Sequence, residues 1–250
     1  MRTEITVLLA LAAVAATSMV VFRVTIGGQV RTAEVARRGP FVFGDWIREW
    51  FYWLVSPVGR ASVRQGVPPE VFNLIGLGLG LSAGVAYGRD ALPLGGTLLL
   101  LSGMTDVFDG LVARARGVVT TWGAFLDSTL DRFTEVAVFA GLAARYREPL
   151  PVLVIVIGLG GSLLVSYARA RGESLGVTCS GGVMQRAERV LLLGFASIVD
   201  PAVSSAIGRP DEGVLLLGVL ALIAAGSLAT AVYRTVWIAQ RLREGKGGRR

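Results

Sequence analysis

The 250-residue chain has no histidine, a single cysteine and only 17% charged residues. The lone Cys179 excludes an internal disulfide, and the missing histidine removes the commonest general base and a frequent zinc ligand. Acid–base chemistry would therefore fall to carboxylates. The sequence also lacks a Walker-type phosphate loop, and all but one of its 25 basic residues are arginine.

What remains is strongly apolar, with 53% hydrophobic residues and a mean hydropathy of +0.61. This composition predicts an all-α integral membrane protein, because most apolar stretches reach the ~20 residues that a bilayer crossing needs. Asp200 and Pro201 interrupt one of these stretches. Seven spans are predicted, at about residues 4–22, 71–87, 91–112, 122–144, 150–168, 188–206 and 213–240.

The net charge of +7 is explained by membrane topology rather than by nucleic-acid binding, because the basic residues flank the spans. When alternate loops are assigned to the cytoplasm, nineteen of the 25 basic residues fall on that side and five on the other. This asymmetry predicts a multi-pass protein of the cell (inner) membrane with a cytoplasmic C-terminus and an external N-terminus. The first stretch has Ala-rich positions typical of a cleaved signal, but the arginines at 23, 31, 37 and 38 favour a retained span.

Residues 45–56 place Trp46, Trp50 and Trp53 at helical spacing with charged residues among them. This pattern predicts an amphipathic helix that lies in the membrane interface. The aromatic residues are explained by anchoring, since Trp and Tyr favour that depth in any membrane protein. No substrate role follows from them.

Three glycines, Gly76, Gly80 and Gly84, recur every four residues in the span that follows. The spacing favours close helix packing over a dinucleotide fingerprint, because no βαβ unit surrounds it. Packing within one subunit and contact between subunits are both compatible with this pattern.

Four aspartates form two pairs in the apolar sequence: Asp106 with Asp109, and Asp127 with Asp131. On helices, spacings of three and four residues project each pair from one face, so two facing helices could hold four carboxylates around a small volume. Crowded carboxylates in a low dielectric need neutralising cations. An all-oxygen ligand set suits magnesium, manganese or calcium.

The residues around these aspartates resemble the signature D-x2-D-G-x2-A-R-x8-G-x3-D-x3-D of the CDP-alcohol phosphatidyltransferases. The positions filled are Asp106, Asp109, Gly110, Ala113, Arg114, Gly123, Asp127 and Asp131. The resemblance implies a six-helix membrane domain over residues 43–241, with the interfacial helix 45–56 at its start. One extra transmembrane span with a linker (1–42) would precede it, and a basic cytoplasmic tail (242–250) would follow. The family often begins its first core span with P-N-x-x-T, where this chain has Pro69, Glu70 and then Asn73.

The resemblance implies that a CDP-lipid, such as CDP-diacylglycerol or CDP-archaeol, binds at the cytoplasmic face and that a phosphatidyl group passes to an alcohol with release of CMP. Two Mg²⁺ ions, or Mn²⁺, would be held by Asp106, Asp109, Asp127 and Asp131. Asp131 would also be the general base. Gly110, Ala113, Arg114 and Gly123 would line the nucleotide, and a homodimer is implied.

A second cluster of basic residues bears on the acceptor alcohol. Convergent arginines near a metal site indicate an anionic acceptor, although each one singly is also explained by positive-inside topology. The sequences around these arginines resemble the branch of the family that makes phosphatidylinositol phosphate or archaetidylinositol phosphate from inositol phosphate. The residues expected to bind the acceptor phosphate are Arg169, Arg171, Arg186, Arg189 and Arg234.

Three other functions stay open at this stage. Glycerol 3-phosphate also presents a phosphate to arginine, which would make the chain a phosphatidylglycerol phosphate synthase. A cation-binding membrane transporter would spread its acids across the membrane depth. A noncatalytic lipid-binding scaffold would lack at least one of the motif acids, and none is missing here.

Overall fold

The computed structural model describes residues 16–25, 44–210 and 212–245, and every regular element in those ranges is an α-helix. The helices are α1 (Ala16–Thr25), α2 (Asp45–Arg64), α3 (Pro69–Gly88), α4 (Leu92–Ala115), α5 (Thr121–Arg145), α6 (Pro149–Ser174), α7 (Arg186–Ala206) and α8 (Val214–Arg243). Five of them, α3, α4, α6, α7 and α8, are long and apolar enough to cross a membrane. The predicted all-α, multi-pass membrane protein is thus confirmed.

Helices α3 to α8 coincide with six of the seven predicted spans. Helix α5 is absent from the five apolar helices because it carries Asp127, Asp131, Arg132 and Glu135 near its middle. Most of the first predicted span lies outside the described residues, as do most of the linker and the last five residues of the tail. The predicted interfacial helix is longer than expected, since α2 continues to Arg64.

The connection between α4 and α5 is short and defined by local chemistry. Gly117 adopts a left-handed conformation (φ 66°) just after α4 ends. The Thr120 hydroxyl then accepts a hydrogen bond from the Gly123 amide at 3.0 Å and caps α5. Because only residues 116–120 separate the helices, the end of α4 and the start of α5 lie at the same end of the bundle. Both aspartate pairs are therefore brought to that end.

The six long helices pack in a closed order. Helix α3 lies between α4 and α5, α4 packs on α7, α7 on α8, α8 on α6, and α6 on α5. Tyr87, Leu142, Ile155, Leu216 and Ile223 are almost fully buried in the shared core. Large aliphatic side chains on the outer faces of the same helices are exposed, as expected for surfaces that contact lipid.

The glycine face of α3 is used within the subunit. A Cβ atom on Gly84 would lie 2.7 Å from the Ala137 carbonyl carbon, and one on Gly141 would lie 2.7 Å from the Gly84 carbonyl carbon. Added Cβ atoms at Gly76 and Gly80 would meet threonine side chains of α4 and α5. The backbones of α3 and α5 thus touch, as small-xxx-small spacing predicts.

Asp200, which interrupts the predicted span, caps the next helix from a distance. It is 1% exposed, and its Oδ1 accepts a hydrogen bond from the Leu216 amide at 2.9 Å. The Ser204 hydroxyl donates to Asp200 Oδ2 at 3.2 Å and accepts from the Val214 amide at 3.2 Å. These are first-turn amides of α8, which have no partner within their own helix. Helix α7 meanwhile continues through Pro201 to Ala206.

The aromatic residues of α2 pack against α1. The Phe22 ring centroid lies 6.1 Å from that of Trp46 and 5.7 Å from that of Trp53. The Trp50 indole N–H donates to the Ser18 hydroxyl at 3.1 Å. Part of the predicted aromatic anchor is therefore a helix–helix contact.

We expect Gly84→Ala to destabilise the protein by about 2 kcal/mol, because the new methyl group overpacks the contact with α5. Gly78 is the matched control, since it lies in the same helix with no atom within 4 Å of its added Cβ. Gly78→Ala should raise stability slightly, because alanine favours a helix by up to ~1 kcal/mol over glycine. Thermal unfolding in detergent measures both. Equal melting temperatures for the two variants would contradict the backbone contact.

Candidate active site

Three of the four motif aspartates meet between α4 and α5. One carboxylate oxygen from each of Asp106, Asp127 and Asp131 lies within 4.8 Å of the others. Asp109 lies outside this group of three; it is buried, and its Oδ1 accepts a hydrogen bond from the Gly110 amide at 2.5 Å. The structure therefore brings together three of the four motif aspartates.

A small cavity of about 10 Å³ opens beside the three carboxylates, between α3, α4 and α5. This is roughly the space that one water or one ion requires. Asn73 of α3 lines the cavity with only 7% exposure, and its buried Oδ1 has no hydrogen-bond partner in the described part of the chain. Three carboxylates and an unsatisfied amide oxygen form an all-oxygen donor set. Such a set fits a hard divalent cation.

Arg186, the first residue of α7, places a positive charge on this cluster. Its Nη1 pairs with Asp106 Oδ2, and its Nη2 lies 2.8 Å from Asp131 Oδ1. The guanidinium thus bridges α4 and α5 from a third helix. Its positive charge opposes the mutual repulsion of these carboxylates.

A second polar network starts one turn beyond Asp131, at Glu135. The Glu135 Oε1 atom accepts from Arg189 Nε at 2.9 Å, from Arg189 Nη2 at 2.7 Å and from the Ser162 hydroxyl. Its Oε2 atom lies 3.2 Å from Arg132 Nη1. Arg132 in turn donates to the Ser166 hydroxyl, and its Nη2 lies 3.7 Å from Asp131 Oδ2. This network joins α5, α6 and α7.

The residues expected to line a nucleotide lie around the α4–α5 connection. Gly110, Ala113 and Arg114 are half-buried in the last turns of α4, and Gly123 is in the first turn of α5. A Cβ atom on Gly110 would lie 2.9 Å from two nitrogens of the Arg114 guanidinium. Glycine at this position therefore lets Arg114 fold back along its own helix.

The five arginines expected to bind the acceptor occupy different environments. Arg189 and Arg234 are buried, with 4% and 3% exposure, and Arg186 is half-buried on the acid cluster. Arg169 and Arg171 are exposed near the end of α6, where Arg169 pairs with Glu173 at 2.9 Å. The structure thus brings three of the five arginines inward.

Sequence reasoning missed Asn73 as a cavity residue and Glu135 altogether. A signal for Glu135 was available, because it follows Asp131 by four residues and so shares its helix face. Asn73 stands out in the sequence only as the asparagine displaced from the P-N-x-x-T pattern, and its place in the cavity depends on how α3 packs between α4 and α5.

Sequence comparisons agree with this geometry. The family model for CDP-alcohol phosphatidyltransferases matches residues 69–237. The chain is 34% identical over 211 residues to the phosphatidylinositol phosphate synthase of Streptomyces avermitilis, covering 80% of this chain and 84% of that protein. It is also 34% identical over 180 residues to the archaetidylinositol phosphate synthase of Methanothermobacter thermautotrophicus, covering 72% of this chain and 87% of that protein.

The fold is similar to solved structures of the phosphatidylinositol phosphate synthase of Mycobacterium tuberculosis. The structure with CDP-DAG bound has a TM-score of 0.64 at 30% identity and covers 74% of this chain and 92% of that chain. The complex with manganese and citrate has a TM-score of 0.63 at 31% identity and covers 72% of this chain and 88% of that chain. Motif, family match and fold coincide over the same helices. The chain therefore belongs to the CDP-alcohol phosphatidyltransferases, a family of membrane enzymes.

Proposed function

We propose that this enzyme transfers a phosphatidyl, or related lipid phosphate, group from a CDP-lipid to a hydroxyl of inositol phosphate and releases CMP. The environment of Arg234 is the observation that most favours a phosphorylated acceptor. Its Nε and Nη1 donate to the carbonyls of Gly181 and Val165 at 2.8 and 3.0 Å, and it makes no ion pair with any described carboxylate. A buried guanidinium without a carboxylate partner favours an incoming anion.

The relatives support both substrates. The similar enzymes of Streptomyces and Methanothermobacter are named for inositol phosphate products, and a similar structure holds CDP-DAG. Gly110, Ala113, Arg114 and Gly123 would line the CDP group. Five arginines would bind the acceptor phosphate, with Arg234, Arg189 and Arg186 inside the protein and Arg169 and Arg171 at the surface.

Asp106, Asp109, Asp127 and Asp131 would hold two divalent ions, Mg²⁺ or Mn²⁺, in the proposed site. When bound, such ions polarise the phosphoryl centre and neutralise the departing CMP. The all-oxygen donor set, the Arg186 charge on the same carboxylates and the unsatisfied Asn73 oxygen support this assignment. A similar solved structure contains manganese.

Asp131 would act as the general base. It would take the proton from the acceptor hydroxyl while that oxygen bonds to the lipid phosphorus and the bond to CMP breaks. Two guanidinium groups, from Arg186 and Arg132, lie beside Asp131 at 2.8 and 3.7 Å. With no histidine in the chain, a carboxylate is the natural choice.

The proposed architecture places α5 across the membrane as the sixth core helix, since it has 25 residues and closes the helix ring. An extra N-terminal span (1–42), the interfacial helix at 45–56, a core that extends to residue 241 and a basic tail (242–250) complete the proposal. The basic residues favour a cytoplasmic active site and C-terminus and an external N-terminus. A homodimer is also proposed, through surfaces other than the glycine face that α3 uses internally.

We expect purified protein in detergent, supplied with Mg²⁺ and CDP-diacylglycerol, to release CMP when inositol 1-phosphate is added. Glycerol 3-phosphate, free inositol and serine should give at most a few per cent of that rate. CMP release with glycerol 3-phosphate instead would support the proposed transfer reaction and show that the proposed acceptor is wrong. No release with any of the four would contradict the proposed function.

Asp131→Asn should lower turnover by at least 1,000-fold, because the amide cannot accept the hydroxyl proton, while CDP-lipid binding changes little. Asp90→Asn is the control, since Asp90 pairs with Arg145 outside the cluster at 2.5 Å. CMP release measures the first quantity and equilibrium binding of CDP-lipid the second. Retained turnover in Asp131→Asn would rule out the general base.

Arg234→Gln should raise the KM for inositol 1-phosphate ten-fold or more, because it removes a buried positive charge from the proposed acceptor site. The KM for CDP-lipid should stay within two-fold. Arg209→Gln, which alters an exposed arginine paired with Glu212, should change neither constant. An unchanged acceptor KM in Arg234→Gln would exclude Arg234 from the acceptor site.

A further inference from the structure

Glu135 is a buried carboxylate that has no role in the proposed transfer reaction. It lies on α5 one helical turn beyond Asp131 and is 9% exposed. A single oxygen, Oε1, accepts two hydrogen bonds from Arg189 and one from Ser162. A buried carboxylate is costly unless it is paired and hydrogen-bonded in this way.

Arg189 of α7 is held on every side of its guanidinium. Nε and Nη2 donate to Glu135, and Nη1 donates to the Met184 carbonyl at 3.1 Å. Because the guanidinium is planar, three anchored nitrogens fix both its plane and the direction of its remaining N–H groups. Without Glu135, the Met184 contact is the one hydrogen bond of this guanidinium that would remain within the described residues.

The same pair borders a space beside the proposed base. Asp131, Glu135, Arg186 and Arg189 line the polar side of a cavity of about 30 Å³, whose other walls are largely apolar and include Leu99 of α4 and Ile223 of α8. Asp131 and Glu135 project from one face of α5, while both arginines come from the first turn of α7. The Glu135–Arg189 pair therefore fixes the distance from the proposed base to a proposed acceptor ligand.

Arg189 and Arg234 differ in how they are stabilised. Glu135 pairs with Arg189 through Oε1 and with Arg132 through Oε2, whereas Arg234 is held by neutral carbonyl groups. Arg234 thus supplies net positive charge, and Arg189 supplies N–H groups of fixed direction. Long-range attraction of a phosphate and its final orientation would then depend on different arginines.

We infer that Glu135 is a positioning residue, which holds Arg189 in the orientation that binds the acceptor phosphate beside Asp131. The inference rests on the proposed function, since it takes the phosphorylated acceptor as the ligand of Arg189. It assigns Glu135 no contact with the acceptor itself. Its effect should therefore reach the acceptor through Arg189, because Arg132, its other guanidinium partner at 3.2 Å, is not among the proposed acceptor ligands.

A double-mutant cycle tests this dependence. Glu135→Gln alone should raise the KM for inositol 1-phosphate ten-fold or more, with kcat and the KM for CDP-lipid changed less than three-fold. Arg189→Gln should have an equal or larger effect. Adding Glu135→Gln to Arg189→Gln should then change the acceptor KM less than two-fold, because residues that act as a unit are not additive. The same double-mutant cycle can be built without turnover from the dissociation constants of inositol 1-phosphate, measured by calorimetry.

Glu212→Gln is the matched control, since it removes a carboxylate from an exposed arginine pair with a separation of 2.7 Å. It should leave every constant unchanged. Multiplied effects in the double variant, an unchanged acceptor KM in Glu135→Gln, or a lowered one would each overturn the inference. If the wild-type enzyme turns over inositol 1-phosphate normally, such results refute the role of Glu135 and leave the proposed function intact.

A second pair of substitutions covers the case in which Glu135→Gln does not fold. Replacing both partners by apolar residues, as in Glu135→Leu with Arg189→Met, removes the buried ion pair and leaves Arg132 with its other partners, Ser166 and Asp131. This variant should fold and retain the raised acceptor KM of Arg189→Gln. A normal acceptor KM in it would overturn the inference.

Discussion

Mutual repulsion of three carboxylates is the constraint around which this protein is arranged. At the 4.8 Å limit that encloses their oxygens, each pair of negative charges would repel by about 3 kcal/mol at an effective dielectric constant of 20. Helices α4 and α5 can bear this repulsion because both pack tightly on α3, whose glycines allow close backbone approach. Arg186 of α7 reduces this repulsion, because its guanidinium pairs with Asp106 of α4 and Asp131 of α5.

The positive charges of three arginines at the site are balanced by different groups. Arg186 pairs with the motif carboxylates and Arg189 with Glu135, while the partners of Arg234 among the described residues are backbone carbonyls. A guanidinium already neutralised by a carboxylate has less electrostatic attraction left for a substrate anion than one held by neutral groups. The local partners of an arginine, more than its nearness to the site, thus determine what it can do.

Much of this arrangement could be predicted from local sequence. Six of the helices follow from apolar runs bounded by proline and glycine, and the meeting of Asp106 with Asp127 follows from helical spacing and a short connection. The pairing of Glu135 with Arg189 could not be predicted in the same way, because 54 residues separate the partners. Asp200 is a comparable case. Its position in the sequence indicates an interruption of a span, whereas in the structure it caps α8. That role depends on the packing of α7 against α8.

The contact of Gly84 with Gly141 has a consequence for redesign of the protein surface. Because the spacing of α3 and α5 is set by backbone against backbone, it does not depend on the side chains that face outward. The exposed aliphatic residues of these helices, such as Leu74, Leu81 and Val136, could then be exchanged for polar ones to make a water-soluble variant. The acid cluster would keep its geometry in such a variant, since its described contacts with α3 and Arg186 do not involve these three side chains.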